Sequence, residues 1–230
     1  MTHGSQHNDL SSKRLLTRIK ICGMTCQQDA ENAITAGVDA LGFIFWPPSK
    51  RYIAIDEAAK IVDQVSAYVT TVAVFVDPTE ADVDAVLADV AIDSLQFHGQ
   101  EPASFCNRFA RPFVKALAMH EDQDVFSFCM QYHQASAVLL DTYRAGTPGG
   151  TGEQFTWRWI PEHLPLPVIL AGGLAPENIA EAVRSVRPYA VDISSGVESS
   201  PGCKDTEKLQ ALVRAVHCAD MGRQGTGENS

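Results

Sequence analysis

The sequence predicts a single (β/α)8 TIM barrel, an α/β fold in which parallel strands alternate with helices. Three observations predict it: eight short apolar runs, amphipathic helical patterns between them, and no linker that divides the 230-residue chain. Strands that alternate with helices form parallel βαβ units, and eight consecutive units close into a barrel. A doubly wound sheet is the alternative, but it rarely needs eight consecutive units without a change of pattern.

The eight apolar runs are the predicted strands. They lie, in chain order, in RIKICGM, VDALGFIFW, TTVAVFV, SLQFHG, PFVKALAM, AVLLDTY, PVILAGG and AVDISSG. Short apolar runs are typical of strands that are buried on both faces of a parallel sheet. Active sites of barrels lie at the carboxyl ends of the strands and on the loops that follow, so polar residues at those ends are candidates for chemistry.

The predicted helices carry apolar residues at helical spacing. Two begin at Asp56 and Thr79, and the others span 101–109, 122–132, 176–186 and 205–217. Thr79, Asp122 and Asp205 are predicted N-caps, and Pro176 suits a first helical turn. The glycine-rich segment YRAGTPGGTGEQF, after the sixth strand, is predicted to be a loop over the active face.

Residues 18–218 form the predicted barrel domain, and the composition limits its partners. We expect residues 1–17 and 219–230 to be flexible ends, and the first segment lacks the apolar core of a secretory signal. A net charge of −10 disfavours nucleic-acid binding, which depends on clustered Lys and Arg. No run approaches the roughly 18 apolar residues of a membrane span. We expect a monomer that acts on a small molecule, with no nucleic-acid or membrane partner.

The cysteines and histidines predict neither a metal site nor disulfides. Six cysteines are scattered without a CxxC pair, and seven histidines make no HExxH spacing. Scattered thiols in a chain of this size are typical of cytoplasmic proteins, in which cysteines stay reduced. We therefore expect a cytoplasmic protein with free thiols and no metal.

Glycine and serine follow the seventh and eighth strands, in ILAGGLAPENI and DISSGVESSPG. Barrels often bind phosphate with the loops after these two strands and a short extra helix. Glycines let the backbone approach an anion, and the N–H groups at a helix start point at it. The pattern predicts a phosphorylated small-molecule substrate, although two glycine turns with a serine cap would look the same. The predicted phosphate-binding residues are Gly172, Gly173, Ser194, Ser195 and Gly196.

Asp141 and Cys22 end the sixth and first predicted strands. A carboxyl group after an apolar run suits a general acid, and the alternative for Asp141 is a cap on the following turn. Cys22 shares a strand face with Lys20, whose ammonium would favour the thiolate; the alternative is a structural cysteine. Because the first and eighth strands of a barrel are neighbours, we expect Lys20 to reach Asp192. Asp192 is also a candidate for substrate contact.

Arg51, Gln96 and His98 are further candidates for substrate binding. Arg51 follows the second strand in WPPSKRYI and either lies exposed on the surface or clamps a substrate carboxylate with its forked guanidinium. Gln96 and His98 alternate inward on the fourth strand. Both residues either line the pocket or are polar groups satisfied inside the barrel.

The motifs together resemble those of the phosphoribosylanthranilate isomerase family of tryptophan biosynthesis. The resemblance covers roughly residues 18–216, nearly the whole predicted barrel. Its motifs are KICGMT, GFIFWPPSKRYI, LQFHG, LLDT, GGTGEQFTW, LAGGLAPENI and VDISSGVESSPGCKD. In this order and spacing they are highly specific, and no departure from the family pattern falls at a position that matters.

The resemblance implies an Amadori rearrangement, in which a phosphorylated aldosylamine becomes a ketose. It implies that Asp141 is the general acid that protonates the furanose ring oxygen and opens the ring to a Schiff base. It implies that Cys22 is the general base that takes the proton from C2′, and that Arg51 holds the anthranilate carboxylate. No cofactor is expected.

Two related activities and one non-enzymatic role are the alternatives. The isomerase of histidine biosynthesis resembles this chain in fold and phosphate loops but uses an aspartate where Cys22 stands, so Cys22 favours the anthranilate substrate. Barrel synthases that close an indole ring rely on a Lys and Glu set that the sequence does not show. A catalytically silent phosphate-binding barrel is the alternative outside enzymes, and the pair of Cys22 and Asp141 argues against it.

Overall fold

The computed structural model describes residues 16–142 and 155–222, and the predicted barrel is confirmed. Eight parallel strands pair in chain order, and the last strand pairs back onto the first. The strands are β1 Arg18–Cys22, β2 Ala40–Ile44, β3 Thr70–Phe75, β4 Ser94–Phe97, β5 Phe113–Met119, β6 Ala137–Thr142, β7 Val168–Leu170 and β8 Ala190–Ile193.

The strands separate an interior layer from an outer one because successive side chains point to opposite faces. On β1, Ile19 and Ile21 belong to the large apolar core beneath the helices, whereas Cys22 packs inside the barrel against Val72 and Val74 of β3. Leu139 of β6 lies in a second small interior cluster. Inward polar side chains near the strand ends therefore converge on one opening.

Helices cover the outside of the barrel and return the chain so that the strands run parallel. They are α1 Gln27–Ala36, α2 Ile55–Val62, α3 Glu80–Asp89, α4 Ala103–Cys106, α5 Val125–Gln131, α6 Ile179–Val186 and α7 Thr206–Met221. Between β6 and β7 the described residues form a short 3-10 helix, Trp157–Trp159. Most of the glycine-rich segment predicted to be a loop over the active face, 143–154, lies outside the described residues.

Two of the three predicted N-caps are confirmed, and the third is wrong. The side chains of Thr79 and Asp205 each accept a hydrogen bond from a backbone N–H in the first turn of their helix. Asp122 does not begin α5, because Asp124 accepts the N–H of Ser127 at 2.9 Å and starts the helix two residues later. The N-cap is the residue whose side chain accepts an N–H of the first helical turn that has no partner within the helix, and here that residue is Asp124.

Several helices depart from the predicted segments. The helix α1 was not predicted from the sequence. Its buried face consists of Asp29, Ala30 and Ala33, which give no stripe of large apolar residues. The helix α4 has four residues where 101–109 was predicted. The helix α6 begins at Ile179 rather than 176, since Asn178 accepts the N–H of Ala175 and holds the preceding residues in a turn.

The two ends of the described barrel are joined to each other. Thr17 donates its backbone N–H to Asp220 Oδ2 at 2.7 Å, and its hydroxyl donates to Asp220 Oδ1 at 3.0 Å. The helix α7 therefore passes the predicted boundary at residue 218, because Ala219 and Asp220 are buried and helical. Residues 1–15 and 223–230 of the predicted flexible ends lie outside the described residues.

A small insertion follows β8 at the carboxyl end of the barrel. A 3-10 helix, Ser195–Val197, leads into the antiparallel hairpin of β9, Glu198–Ser200, and β10, Cys203–Lys204. The hairpin lies between β8 and α7 in the chain and brings two charged side chains to the barrel opening. Within residues 16–142 and 155–222, no helix has the length and apolar character needed to cross a membrane.

Candidate active site

A pocket opens at the carboxyl ends of the strands, where the fold predicts the site. All the predicted site residues except Gly196 line it, namely Cys22, Arg51, Gln96, His98, Asp141, Gly172, Gly173, Asp192, Ser194 and Ser195. Gly196 instead lies in the 3-10 helix, where a side chain would collide with the carbonyl oxygen of Leu174. The structure thus brings residues from six strands or their following loops to one place.

Cys22 lies at the floor of the pocket beside a buried ion pair. Lys20 Nζ donates to Asp192 Oδ2 at 2.7 Å, as expected from the pairing of β1 with β8. Both side chains are buried inside the barrel. Burial acts to lower the pKa of Lys20, but the charges of Asp192 and Cys22 outweigh it and raise that pKa, so Lys20 stays an ammonium. The predicted pair of Lys20 and Asp192 is confirmed.

The surroundings of Cys22 hold its thiol in the protonated form at neutral pH. Burial is the largest effect and raises the pKa of Cys22, since a thiolate loses its hydration there. The ammonium groups of Lys20 and Lys204 act in the opposite direction, and the carboxylate of Asp192 offsets part of their effect. The net pKa of Cys22 is above its ordinary value. Lys20 therefore does not by itself make a resting thiolate.

Asp141 is held across the pocket by a short chain of polar groups. His98 Nε2 lies 3.2 Å from Asp141 Oδ2, and Gln96 Nε2 lies 3.1 Å from His98 Nδ1. With the amide in this orientation, Gln96 Nε2 donates a hydrogen bond to His98 Nδ1. A neutral His98 then carries its hydrogen on Nε2, and this N–H donates a hydrogen bond to Asp141. The N–H of Thr142 also donates to Asp141 Oδ1 at 2.7 Å. Asp141 thus caps the following turn and faces the pocket at once.

Arg51 is not an exposed surface arginine. Its side chain is largely buried, and it forms a two-pronged ion pair with Glu198: Nε donates to Oε1 at 2.7 Å and Nη2 donates to Oε2 at 2.8 Å. Arg51 lines the pocket from the loop after β2. The guanidinium is consequently fixed in place before any ligand is bound.

The two predicted phosphate loops meet at one side of the pocket. Gly172 and Gly173 have φ values of +83° and +63°, a left-handed turn that brings their backbone to the opening. A side chain at Gly172 would lie 2.7 Å from Thr142 N, so the turn needs glycine for close packing as well as for φ. Asn178 Nδ2 donates to the carbonyl of Gly173 at 2.8 Å and fixes the loop.

In the loop after β8, the hydroxyl of Ser194 is engaged within the protein. Ser194 Oγ donates to the carbonyl of Cys22 at 3.1 Å, so its hydroxyl proton is already used. The short helix that begins at Ser195 directs backbone N–H groups toward its start, where an anion is favoured.

Comparison with known proteins decides the family. The family model "N-(5'phosphoribosyl)anthranilate (PRA) isomerase" matches residues 19–215. The chain belongs to the PRA isomerase family. It is similar to the N-(5'-phosphoribosyl)anthranilate isomerase of Pseudomonas fluorescens, at 48% identity over 199 residues, which are 86% of this chain and 98% of that protein.

Solved structures of the PRA isomerase family share the fold. That of Thermotoga maritima has a TM-score of 0.82 at 34% identity, covering 88% of this chain and 100% of its own. A PRA isomerase in complex with reduced 1-(o-carboxyphenylamino)-1-deoxyribulose 5-phosphate has a TM-score of 0.76 at 32% identity, covering 88% and 100%. The predicted family resemblance is therefore confirmed.

Two charged residues beside the pocket were not predicted as site residues. Glu198 and Lys204 stand in VESSPGCKD, which has no helical or strand periodicity to show where their side chains point. Both side chains are buried at the pocket edge, joined by an ion pair of 2.8 Å. The pairing of Glu198 with Arg51 spans 147 residues of chain and becomes visible only in the closed barrel.

Apolar pocket residues were also missed, although a signal for them existed. Ile44 is the last residue of β2 and Val74 is the last inward residue of β3, so the strand period alone finds them. Trp46 and Ser49 lie on the stiff loop that carries Arg51 and line the same side. Within the described residues, no group of three or more His, Cys, Asp or Glu is placed to hold a metal ion.

Proposed function

We propose that the protein converts N-(5′-phosphoribosyl)anthranilate to 1-(2-carboxyphenylamino)-1-deoxyribulose 5-phosphate by an Amadori rearrangement in tryptophan biosynthesis. The observation that carries this proposal is the family match over residues 19–215 together with a pocket that holds Cys22, Asp141, Arg51 and both phosphate loops. The reaction moves hydrogen within one molecule, so an acid and a base at opposite sides of the sugar are its main requirements.

The substrate is proposed to lie across the pocket with its charged groups at opposite ends. Its phosphate binds at Gly172, Gly173 and the helix that begins at Ser195, where backbone N–H groups and the glycine turn favour an anion. Its carboxylate binds Arg51. This orientation leaves the sugar between β1 and β6, within reach of both proposed catalytic groups.

Asp141 is the proposed general acid. It gives a proton to the furanose ring oxygen; the C1′–O bond breaks, and the nitrogen lone pair forms the C1′=N bond of a protonated Schiff base. The carboxylate left on Asp141 is stabilised by the N–H of Thr142 and by His98 Nε2, which already lie at hydrogen-bond distance. His98 and Gln96 are proposed to position Asp141 and to line the pocket.

Cys22 is the proposed general base. The thiol first loses its proton to solvent, and the resulting thiolate takes the proton from C2′. The electrons of that C–H bond form the C1′=C2′ bond, and the π electrons of the C1′=N bond move to the nitrogen, which becomes neutral. The protonated Schiff base adds a positive charge to those of Lys20 and Lys204, and this further charge favours the thiolate once substrate is bound. The enolamine then loses its C2′ hydroxyl proton and gains one at C1′, which gives the ketose.

Asp192 is proposed to bind the sugar with the oxygen that Lys20 leaves available. Its Oδ2 accepts from Lys20, whereas its buried Oδ1 takes no hydrogen bond from any described residue. A buried carboxylate oxygen without a donor is unfavourable, and the group lines the pocket. A sugar hydroxyl is the donor that this position suits.

Turnover of the anthranilate substrate tests the proposal against a silent phosphate-binding barrel. The purified protein is mixed with freshly made N-(5′-phosphoribosyl)anthranilate, and loss of the substrate's fluorescence is followed. We expect turnover that requires Cys22 and Asp141. A folded protein that binds phosphate but shows no turnover would refute the isomerase.

The protein is proposed to act as a monomer, since the described residues of one chain supply every group used above. Sedimentation at micromolar concentrations checks this, with a single species of about 25 kDa expected from a chain of 24.9 kDa. A concentration-dependent species of twice that mass would refute it.

A further inference from the structure

Arg51 presents only part of its guanidinium to the pocket, because Glu198 occupies the rest. A guanidinium has five N–H donors, and the pair with Glu198 uses Nε and one hydrogen of Nη2. The edge formed by Nη1 and the second Nη2 hydrogen makes no hydrogen bond to any described residue. That edge has the fork geometry that binds a carboxylate through two parallel hydrogen bonds.

Glu198 fixes which edge faces the ligand, and the opposite end of the arginine is fixed by the backbone. Arg51 crosses the backbone at Gly23, where φ is +79° and a side chain would lie 2.6 Å from Arg51 Cδ. Glu198 holds the head of the same side chain. Arg51 is thus constrained along its length before a ligand arrives, which lowers the entropic cost of binding.

The carboxylate of Glu198 neutralises the charge of Arg51, which weakens the attraction of the pair for an anionic ligand. Lys204 restores a positive charge beside this pair. Its fully buried Nζ donates to Glu198 Oε1 at 2.8 Å and to the carbonyl of Cys22 at 2.7 Å. Two cations and one anion leave the cluster of Arg51, Glu198 and Lys204 with a net charge of +1.

We propose that Glu198 is a positioning residue that orients Arg51 toward the carboxylate of the substrate, and that Lys204 keeps the net charge of this cluster positive. The inference rests on the proposed function, since it assigns the carboxylate of the anthranilate substrate to Arg51. Glu198 and Lys204, both from the hairpin after β8, therefore act through Arg51 to favour ligands that carry a carboxylate.

Binding of two matched ligands tests the proposal. One is reduced 1-(o-carboxyphenylamino)-1-deoxyribulose 5-phosphate, and the other is the same compound without the carboxylate. Calorimetry gives the Kd of each. For the unchanged protein we expect tighter binding of the carboxylate ligand, and we expect Arg51→Ala to remove that preference.

The variant Glu198→Gln separates positioning from charge, because the two effects have opposite signs. Loss of the carboxylate raises the net charge of the cluster to +2, which alone would tighten binding of the carboxylate ligand. Glutamine has one side-chain oxygen where glutamate has two, so Arg51 keeps only one of its two hydrogen bonds. The guanidinium is then less well oriented, which weakens binding. We expect the Kd of the carboxylate ligand to rise about tenfold, the size of one lost charged hydrogen bond, and the other Kd to stay within about twofold.

The variant Lys204→Met tests the charge part of the proposal. It leaves Arg51 and Glu198 as a neutral pair, so we expect weaker binding of the carboxylate ligand. The double variant Glu198→Gln with Lys204→Met restores a net charge of +1 but lacks the carboxylate that orients Arg51, so we expect it to bind that ligand more weakly than Lys204→Met alone. It also serves as the measurement if Glu198→Gln fails to fold.

A matched control is Asp220→Asn, which alters another buried carboxylate at the amino-terminal end of the barrel, near Thr17. It is expected to leave both Kd values unchanged. Equal weakening of both ligands by Glu198→Gln, or tighter binding of the carboxylate ligand, would overturn the positioning role. Because the measurement is binding, absent turnover would refute the proposed function separately.

Discussion

His98 Nε2 faces Asp141 Oδ2 at 3.2 Å; His98 directly follows β4, and Asp141 lies in β6, two places further around the barrel. The contact joins the inward face of β4 to the carboxyl end of β6 across the edge of β5. It gives the carboxylate a donor on the side away from its own turn. A group that must release a proton and remain as an anion benefits from such a donor.

We expect Asp141→Asn to lower kcat by about a hundredfold or more, since a general acid typically contributes that much. His98→Leu removes the donor to Asp141 and is expected to lower kcat about tenfold with a smaller change in KM. Steady-state kinetics measure both. A His98→Leu enzyme with normal kcat would show that this contact does not assist the acid.

We expect Cys22→Ala to lower kcat by about a hundredfold or more, as loss of a general base does. Cys22→Ser keeps the size of the side chain but offers a far weaker base, and it serves as the matched control for packing. Thermal melts show whether either variant has lost its fold. If Cys22→Ala keeps most of its kcat, the base must be another residue.

The pH dependence of kcat/KM is expected to report Cys22. Burial raises the pKa of the thiol, so the fraction of thiolate in the free enzyme rises with pH throughout the range below that pKa. We therefore expect kcat/KM to increase from about pH 6 to about pH 9, with the midpoint of the limb above that of an ordinary thiol. A profile that is already flat at pH 7 would contradict a base with a raised pKa.

Gly173→Val is expected to raise KM for the phosphorylated substrate about tenfold or more, with less effect on kcat. Its φ of +63° is strained for a branched side chain, and the added atoms lie where the backbone approaches the phosphate. We expect inorganic phosphate to compete at this site, and its inhibition constant gives an independent measure. An unchanged KM would show that Gly173 does not contribute to phosphate binding.

Acid is expected to destabilise the protein partly through Glu198. Burial acts to raise the pKa of Glu198, but hydrogen bonds from Arg51 and the charge of Lys204 outweigh it and hold the pKa below its ordinary value of 4.5. A carboxyl group with a lowered folded-state pKa contributes stability above pH 4.5 and loses it as the pH falls through the lower value.

Urea unfolding at about pH 7 and about pH 3 measures this contribution. The free energy of unfolding is expected to fall between these values by a larger amount in the unchanged protein than in Glu198→Gln, which has no proton to gain. Equal losses in both proteins would mean that the ion pairs of Glu198 add no stability.

The fold and much of the pocket were predictable because they follow from local patterns. The period of two puts Lys20 and Cys22 on the inward face, and closure of the barrel brings β1 beside β8. The pair of Lys20 and Asp192 follows from these two facts alone. The loops after β7 and β8 carried their own signal in glycine and serine.

The charged cluster at the pocket edge was not predictable from such patterns. Glu198 and Lys204 lie in a hairpin whose path depends on packing against the rest of the barrel. The sequence placed Arg51 near the pocket but did not indicate that a carboxylate already holds it. Likewise, the hydroxyl of Ser194 binds the carbonyl of Cys22, and only the folded backbone brings these groups together.

The bond between Thr17 and Asp220 has a consequence for how the chain folds during synthesis. One side of β1 pairs with β2, its other side pairs with β8, and Thr17, the residue before β1, bonds the last helix. The first strand therefore has an open edge until the ribosome has released nearly the whole barrel. Late, long-range closure of this kind slows folding and exposes the growing chain to association with other chains.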